Sequence, residues 1–227
     1  MLLIIARISL ILFLVAVPFL FYGFGRETLE LIPQISPGNP RWFAFLVGAA
    51  AFIPSLLVAK RLFPATWSYL QTLEHELTHL LVGLLFLKIP VGIRVSAHEG
   101  GEVRQIGLGT TGQTWVTLAP YFFPTVSYLL LPLFFFVPRG GWWLTLCAGL
   151  LGASVAFHLA SGWAQLHWRQ TDLHEAGIAF SLFFLPVANL VFYGALAAFI
   201  VGGAGGFLNF WLAGARESFN LLPALFR

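Results

Sequence analysis

His75-Glu76-Leu77-Thr78-His79 places two imidazoles and a carboxylate inside Thr66 to Pro90, a stretch otherwise dominated by Leu, Val and Phe. On an α-helix, residues four apart lie about 40° apart around the axis and one turn above each other, so both imidazoles can reach one metal ion. Glu76 lies about 60° from His79 on the same side, close enough to accept a proton from a water activated there. Polar groups of this kind are costly in an apolar helix and are kept there for a task or a partner.

A catalytic zinc site takes three protein ligands and leaves a position open. Two are His75 and His79; the third comes from Asp172, His174, Glu175, His167, His158 or His98. Asp172 is the only aspartate and stands in Gln170-Thr171-Asp172-Leu173, just before a late apolar run. His174 and Glu175 are chemically equivalent alternatives. His158 lies within an apolar run and reads as a histidine hydrogen-bonded inside the bundle. His98 and Glu99 read as solvated hairpin-tip residues, and His167 as an outer partner or interface residue. Cys147 is the only cysteine, which excludes a cysteine-rich zinc site and an internal disulfide. The chemistry that follows is hydrolysis: Zn²⁺ makes water acidic, Glu76 takes its proton as general base, and a carbonyl is attacked.

The elements that must hold these groups are membrane helices. The chain has 227 residues, 59% hydrophobic and only 9% charged, against about 25% charged in a soluble domain. Its mean hydropathy is +0.86. An all-α polytopic membrane protein is expected, one integral-membrane domain over 1–227 with about six spans. The apolar runs put these near Leu2–Gly23, Trp42–Ala59, Thr66–Leu87, Gln113–Val137, Trp142–Leu166 and Ala176–Gly202. The first lacks the basic head and cleavage site of a secretory signal and reads as a retained span, with Arg7 snorkelling at its end.

Leu31 to Arg41, with Pro33, Pro37, Gly38 and Pro40, reads as an exposed loop. Val91 to Gly107 alternates about Glu99-Gly100-Gly101 and predicts a β-hairpin following the motif helix. The tail, residues 207–227, mixes Phe207, Phe210, Trp211 and Phe219 with Arg216 and Glu217, as in an interfacial amphipathic helix. Asn189, in the last span, reads as packing glue or a substrate contact. With six spans, Arg7, Lys60, Arg61, Arg139, Arg216 and Arg227 fall on one side and Arg26, Arg41, Lys88, Arg94, Arg104 and Arg169 on the other, so charge does not orient the chain. A net charge of +3 without a basic run gives no nucleic-acid surface. The partners are the lipid bilayer and a membrane-protein substrate or partner membrane protein.

At the metal motif, at Glu99-Gly100-Gly101-Glu102-Val103, at Ala119-Pro120-Tyr121-Phe122-Phe123-Pro124 and at Thr171-Asp172 followed by Ala176-Gly177, the chain resembles the site-2-protease clan of intramembrane zinc metallopeptidases. It is most similar to the short bacterial M50-type group that lacks a PDZ domain. The likeness runs from about Gln71 to Ala198, with a metallopeptidase-like core over about 66–202. It implies Asp172 as the third metal ligand, proteolysis in or near the bilayer, and a bacterial inner-membrane location. The Leu-Asp-Gly or Asn-Pro-Asp-Gly signature of the better-known members is absent. The Gly-Tyr-Leu-Gly-Pro of the short group is replaced by bulkier residues from Pro120 to Pro124, narrowing the path for a substrate helix.

Three functions are therefore in play. The first is a zinc-dependent integral-membrane endopeptidase using Glu76. The second is a membrane-embedded structural or assembly subunit that keeps the metallopeptidase fold and tolerates Glu76→Gln. The third, an ion path, is weakened by the lack of an internal repeat. The hairpin either captures an extended substrate along its edge or caps the cavity.

Overall fold

The computed structural model describes residues 2–36, 38–98, 100–107, 112–138 and 142–224, excluding the side chains of 2–14 and 222–224. Glu99, Arg139 and Arg227, and the side chain of Arg7, lie outside the described residues.

Helices dominate. α1 (Leu2–Leu31) is followed by a 3-10 turn (Ile32–Gln34), α2 (Pro40–Leu62) and α3 (Pro64–Leu85). The hairpin β1 (Ile89–Val95) and β2 (Gly101–Ile106) comes next. α4 (Gln113–Leu118), a 3-10 turn (Ala119–Tyr121), α5 (Thr125–Leu130) and α6 (Leu133–Phe136) precede α7 (Trp142–Gln165), α8 (Thr171–Ala176) and α9 (Ile178–Ala224). The contacts gather into two compact units, residues 1–43 with 178–227, and residues 44–177.

Among the described residues, three helices are long and apolar enough to cross a bilayer: Pro40–Leu62, Trp142–Gln165 and Ile178–Leu221. A fourth is counted if Gln113–Tyr121 and Thr125–Phe136 form one broken span. These are the features of a membrane protein. The helix α2 buries none of its residues and exposes Phe43, Ile53 and Leu57, a surface suited to lipid rather than to water. Two further expected spans, α1 and α3, are helices of 30 and 22 residues. At 1.5 Å per residue, even α3 is about 33 Å long.

The expected fourth span is not one straight helix. Its two halves meet at 87°. Pro120 and Pro124 remove backbone donors at the junction, and each disfavours helical geometry in the residue before it. Apolar composition is the same for a straight and a bent segment; the prolines decide between them.

In the first unit, α9 is broken by Gly203, whose φ of 64° and ψ of −152° are open to glycine and strained for any residue with a Cβ. The tail is accordingly a second helical arm. Phe210 on this arm is buried and stacks obliquely on Phe24 of α1, with ring centroids 5.5 Å apart. Arg26 reaches Glu217 at 2.8 Å. The same arm leaves Leu208, Leu212 and Phe219 exposed, so its apolar residues divide between packing and an outer face.

In the second unit, Pro64 opens α3 at its first turn, where a missing N–H costs nothing. At the other end Leu87 adopts φ 57° and the Lys88 N–H reaches back to the Gly83 carbonyl, turning the chain into β1. The hairpin is antiparallel, with Ile93 opposite Val103 and an irregularity between Pro90 and Gly92. It leans on α3: the Gln105 amide donates to the carbonyls of His79 and Leu80. Trp67 of α3 packs edge-on against Phe157 of α7 at 5.6 Å. Deeper along the same two helices, His158 Nδ1–H donates to Glu74 Oε1 at 2.7 Å, with both residues buried.

That pair fixes how α3 is turned toward α7. Removing one member strands the other; removing both does not. His158→Leu should lower stability by about 3–5 kcal/mol. Glu74→Leu combined with His158→Leu should recover most of that loss, read as unfolding temperature in detergent.

Candidate metal centre

The inner face of α3 carries an unusual polar load. Glu74, His75, Glu76 and Thr78 are all buried. Each finds its surroundings on a different element. Glu74 faces α7, as above, and the Thr78 hydroxyl meets that of Thr125 on α5 at 2.6 Å. His75 and His79 turn toward α8.

There the side chains converge. His75 Nε2 lies 3.2 Å from Asp172 Oδ2, His79 Nε2 lies 3.7 Å from the same oxygen, and the two Nε2 atoms are 3.1 Å apart. His75, His79 and Asp172 form a group able to hold a metal ion. Zinc bonds of about 2.0–2.1 Å in tetrahedral array separate neighbouring ligand atoms by about 3.3 Å, so the three spacings fit the donor set of a zinc site. Two imidazoles and a carboxylate suit zinc and other divalent transition-metal ions.

The sequence alternatives fall elsewhere. His174 is exposed, and its Nε2–H donates to the Trp168 carbonyl at 2.7 Å. Glu175 and His167 are exposed residues that line the cavity without joining the cluster. His98 is exposed near the hairpin tip. His158 is engaged with Glu74. Asn189 belongs to the other unit, and its amide donates to the Leu185 carbonyl in its own helix.

The supports of the cluster are as informative as its members. His79 Nδ1–H donates to the Val116 carbonyl at 2.8 Å, which leaves Nε2 with its lone pair toward Asp172 and His75. That carbonyl also accepts from the Ala119 N–H, which closes a tight turn at the end of α4. In a continuing helix it would accept from residue 120, but residue 120 is proline and has no N–H. The turn that leads into the bend thus also carries the acceptor of the His79 ring. Asp172 is held in turn by the Tyr121 hydroxyl, which donates to Oδ2 at 2.8 Å. No protein-family model, curated protein or solved structure matches this chain. The site is therefore read from its own geometry.

The cluster opens on a cavity of about 580 Å³ bounded by α3, α4, α8 and β2. Glu76 lines it beside the two histidines. The Glu76 side chain lies directly over Gly101 of β2, where any Cβ would collide with it. Glycine is required there because strand and carboxylate share the space. Lys88, also buried, borders the cavity and donates to the Gln113 side chain. Burial pushes its ammonium below the ordinary lysine value. Sequence reasoning did not single out Glu74, Val116 or Lys88, although Glu74 and Lys88 are charged groups bordering an apolar helix, and that was a usable signal.

Burial pushes the Asp172 carboxyl upward, but hydrogen bonds and charge attraction from His75 and His79 outweigh it and hold the group well below the usual carboxylate range. A carboxylate depressed in the folded state stabilises the fold above its unfolded pKa, about 4, and loses that contribution as pH falls further. In metal-free protein, the stability gap between wild type and Asp172→Asn should be steady just above about pH 4 and narrow below it, read by thermal unfolding in detergent. For metal content, about one zinc per chain is expected in wild type, lost in His79→Ala and in Asp172→Ala and retained in His174→Ala and Glu175→Ala, read by elemental analysis.

Proposed function

We propose that the protein is a zinc-dependent integral-membrane endopeptidase that hydrolyses peptide bonds of membrane-protein substrates in or near the bilayer. The observation that carries this reading is the convergence of His75 Nε2, His79 Nε2 and Asp172 Oδ2 at the wall of a cavity that Glu76 also lines. The resemblance of the motif, the glycine-bearing hairpin and the Thr171-Asp172 step to short M50-type peptidases of the site-2-protease clan points the same way. On this reading α1 and α3 complete a six-span body, and the setting is a bacterial inner membrane.

His75, His79 and Asp172 would hold zinc, which when bound would supply Lewis-acid chemistry that makes water acidic near neutral pH. The chain's own groups do the rest. Glu76 accepts the water's proton and returns it to the leaving amine, its side chain occupying the space that the missing Cβ of Gly101 leaves open. Val116 keeps His79 in the tautomer that offers Nε2. The cavity admits a peptide segment, and β2 presents its backbone along one wall, where an extended chain can pair with it.

Glu76→Gln keeps the shape of the side chain and removes its basicity. With zinc-loaded protein in liposomes and a panel of single-span membrane proteins, cleavage should fall by about 10²–10⁴-fold in this variant, with metal content unchanged. Mass spectrometry of the products reads both the rate and the cleavage site. Equal cleavage by wild type and Glu76→Gln, or none by zinc-loaded wild type on any substrate, would replace the enzyme with a membrane-embedded assembly subunit.

A further inference from the structure

We infer that Tyr121 is the positioning residue of the third ligand, fixing which oxygen of Asp172 faces the two histidines. This rests on the metal-site reading above and deepens it. Asp172 needs outside support because it stands on a helix of only six residues, too short to hold its geometry alone. The Tyr121 hydroxyl donates to Oδ2, the same oxygen that lies 3.2 Å from His75 and 3.7 Å from His79. A carboxylate oxygen has two lone pairs. With one taken by the phenol, the other is directed at the histidine pair, and the carboxylate cannot swing away without breaking this half-buried hydrogen bond.

The phenol is itself well held. Tyr121 is 7% exposed and lies between Pro120 and Pro124, on the bend of the broken segment. Its ring stands edge-on to His75 at 5.6 Å and 80°. Gln170, the residue that leads into α8, has its side chain close enough to the same phenol to act on it electrostatically. One side chain therefore touches two of the three ligands and the entry to the helix that carries the third. The bulky residues between Pro120 and Pro124, which in sequence narrow a substrate path, here include the group that orients a ligand.

Tyr121→Phe tests this, because it removes the hydroxyl and keeps the ring. Zinc affinity is measured by competition with a chelator of known strength in detergent-purified protein. The visible spectrum of the cobalt(II)-loaded protein and the unfolding temperature of the metal-free protein are measured in parallel. The expected result is zinc binding weakened by about 10–100-fold, with altered cobalt bands and little change in the metal-free unfolding temperature. Zinc affinity within twofold of wild type would overturn the inference. So would weaker binding with an unaltered cobalt spectrum and a matching fall in metal-free stability, which describes simple packing. Wild-type protein that binds neither metal would remove the metal site itself, a failure distinct from the case where wild type binds and Tyr121→Phe binds equally well.

Discussion

Most buried polar side-chain atoms on α3 find a partner, Trp67 Nε1 and Gln71 Nε2 being the exceptions, because an unmatched polar group among apolar neighbours is costly. That cost organises the second unit. Glu74 draws His158 from α7, Thr78 draws Thr125 from α5, His79 draws the Val116 carbonyl from α4, and His75 draws Asp172 from α8. Four elements are tied to one helix over six residues. The packing around α3 is thus specified by hydrogen-bond geometry as well as by apolar contact, which is far less directional.

The same logic explains why the bend between α4 and α5 belongs to the site. A proline in a helix leaves a carbonyl one turn earlier without its donor. In lipid such a carbonyl is a liability unless something inside the protein satisfies it. At Val116 the Ala119 N–H and the His79 imidazole both do so, which fixes the imidazole at the turn before the bend. The turn at Pro120 thus meets the His79 ring, and the adjacent Tyr121 meets Asp172.

Much of this was legible in the sequence, for identifiable reasons. Apolar run length marks where helices lie, and α2, α3 and α7 begin and end within a few residues of the runs. Alternation about Gly100 and Gly101 marks the hairpin. Run length marks residues 113–137 as an apolar segment of spanning length but is blind to direction, whereas Pro120 and Pro124 encode its bend. Choosing among Asp172, His174 and Glu175 needed the phase of α8. At 100° per residue His174 is turned well away from Asp172, while Glu175 is about 60° from it and reaches only the cavity wall. The Glu74–His158 pair was not legible, since its members are 84 positions apart and nothing local to either names the other.

The spacing of the ligands along the chain has a consequence for how the second unit holds together. His75 and Asp172 are separated by 97 positions, so an ion bound by both closes a loop that includes the hairpin, the bend and all of α7. Closing a loop of that length removes conformational freedom from the unfolded chain much as a covalent cross-link does. In a protein whose single cysteine cannot form an internal disulfide, an ion bound there would act as the clasp, and occupancy of the site and cohesion of the unit would become one thermodynamic quantity.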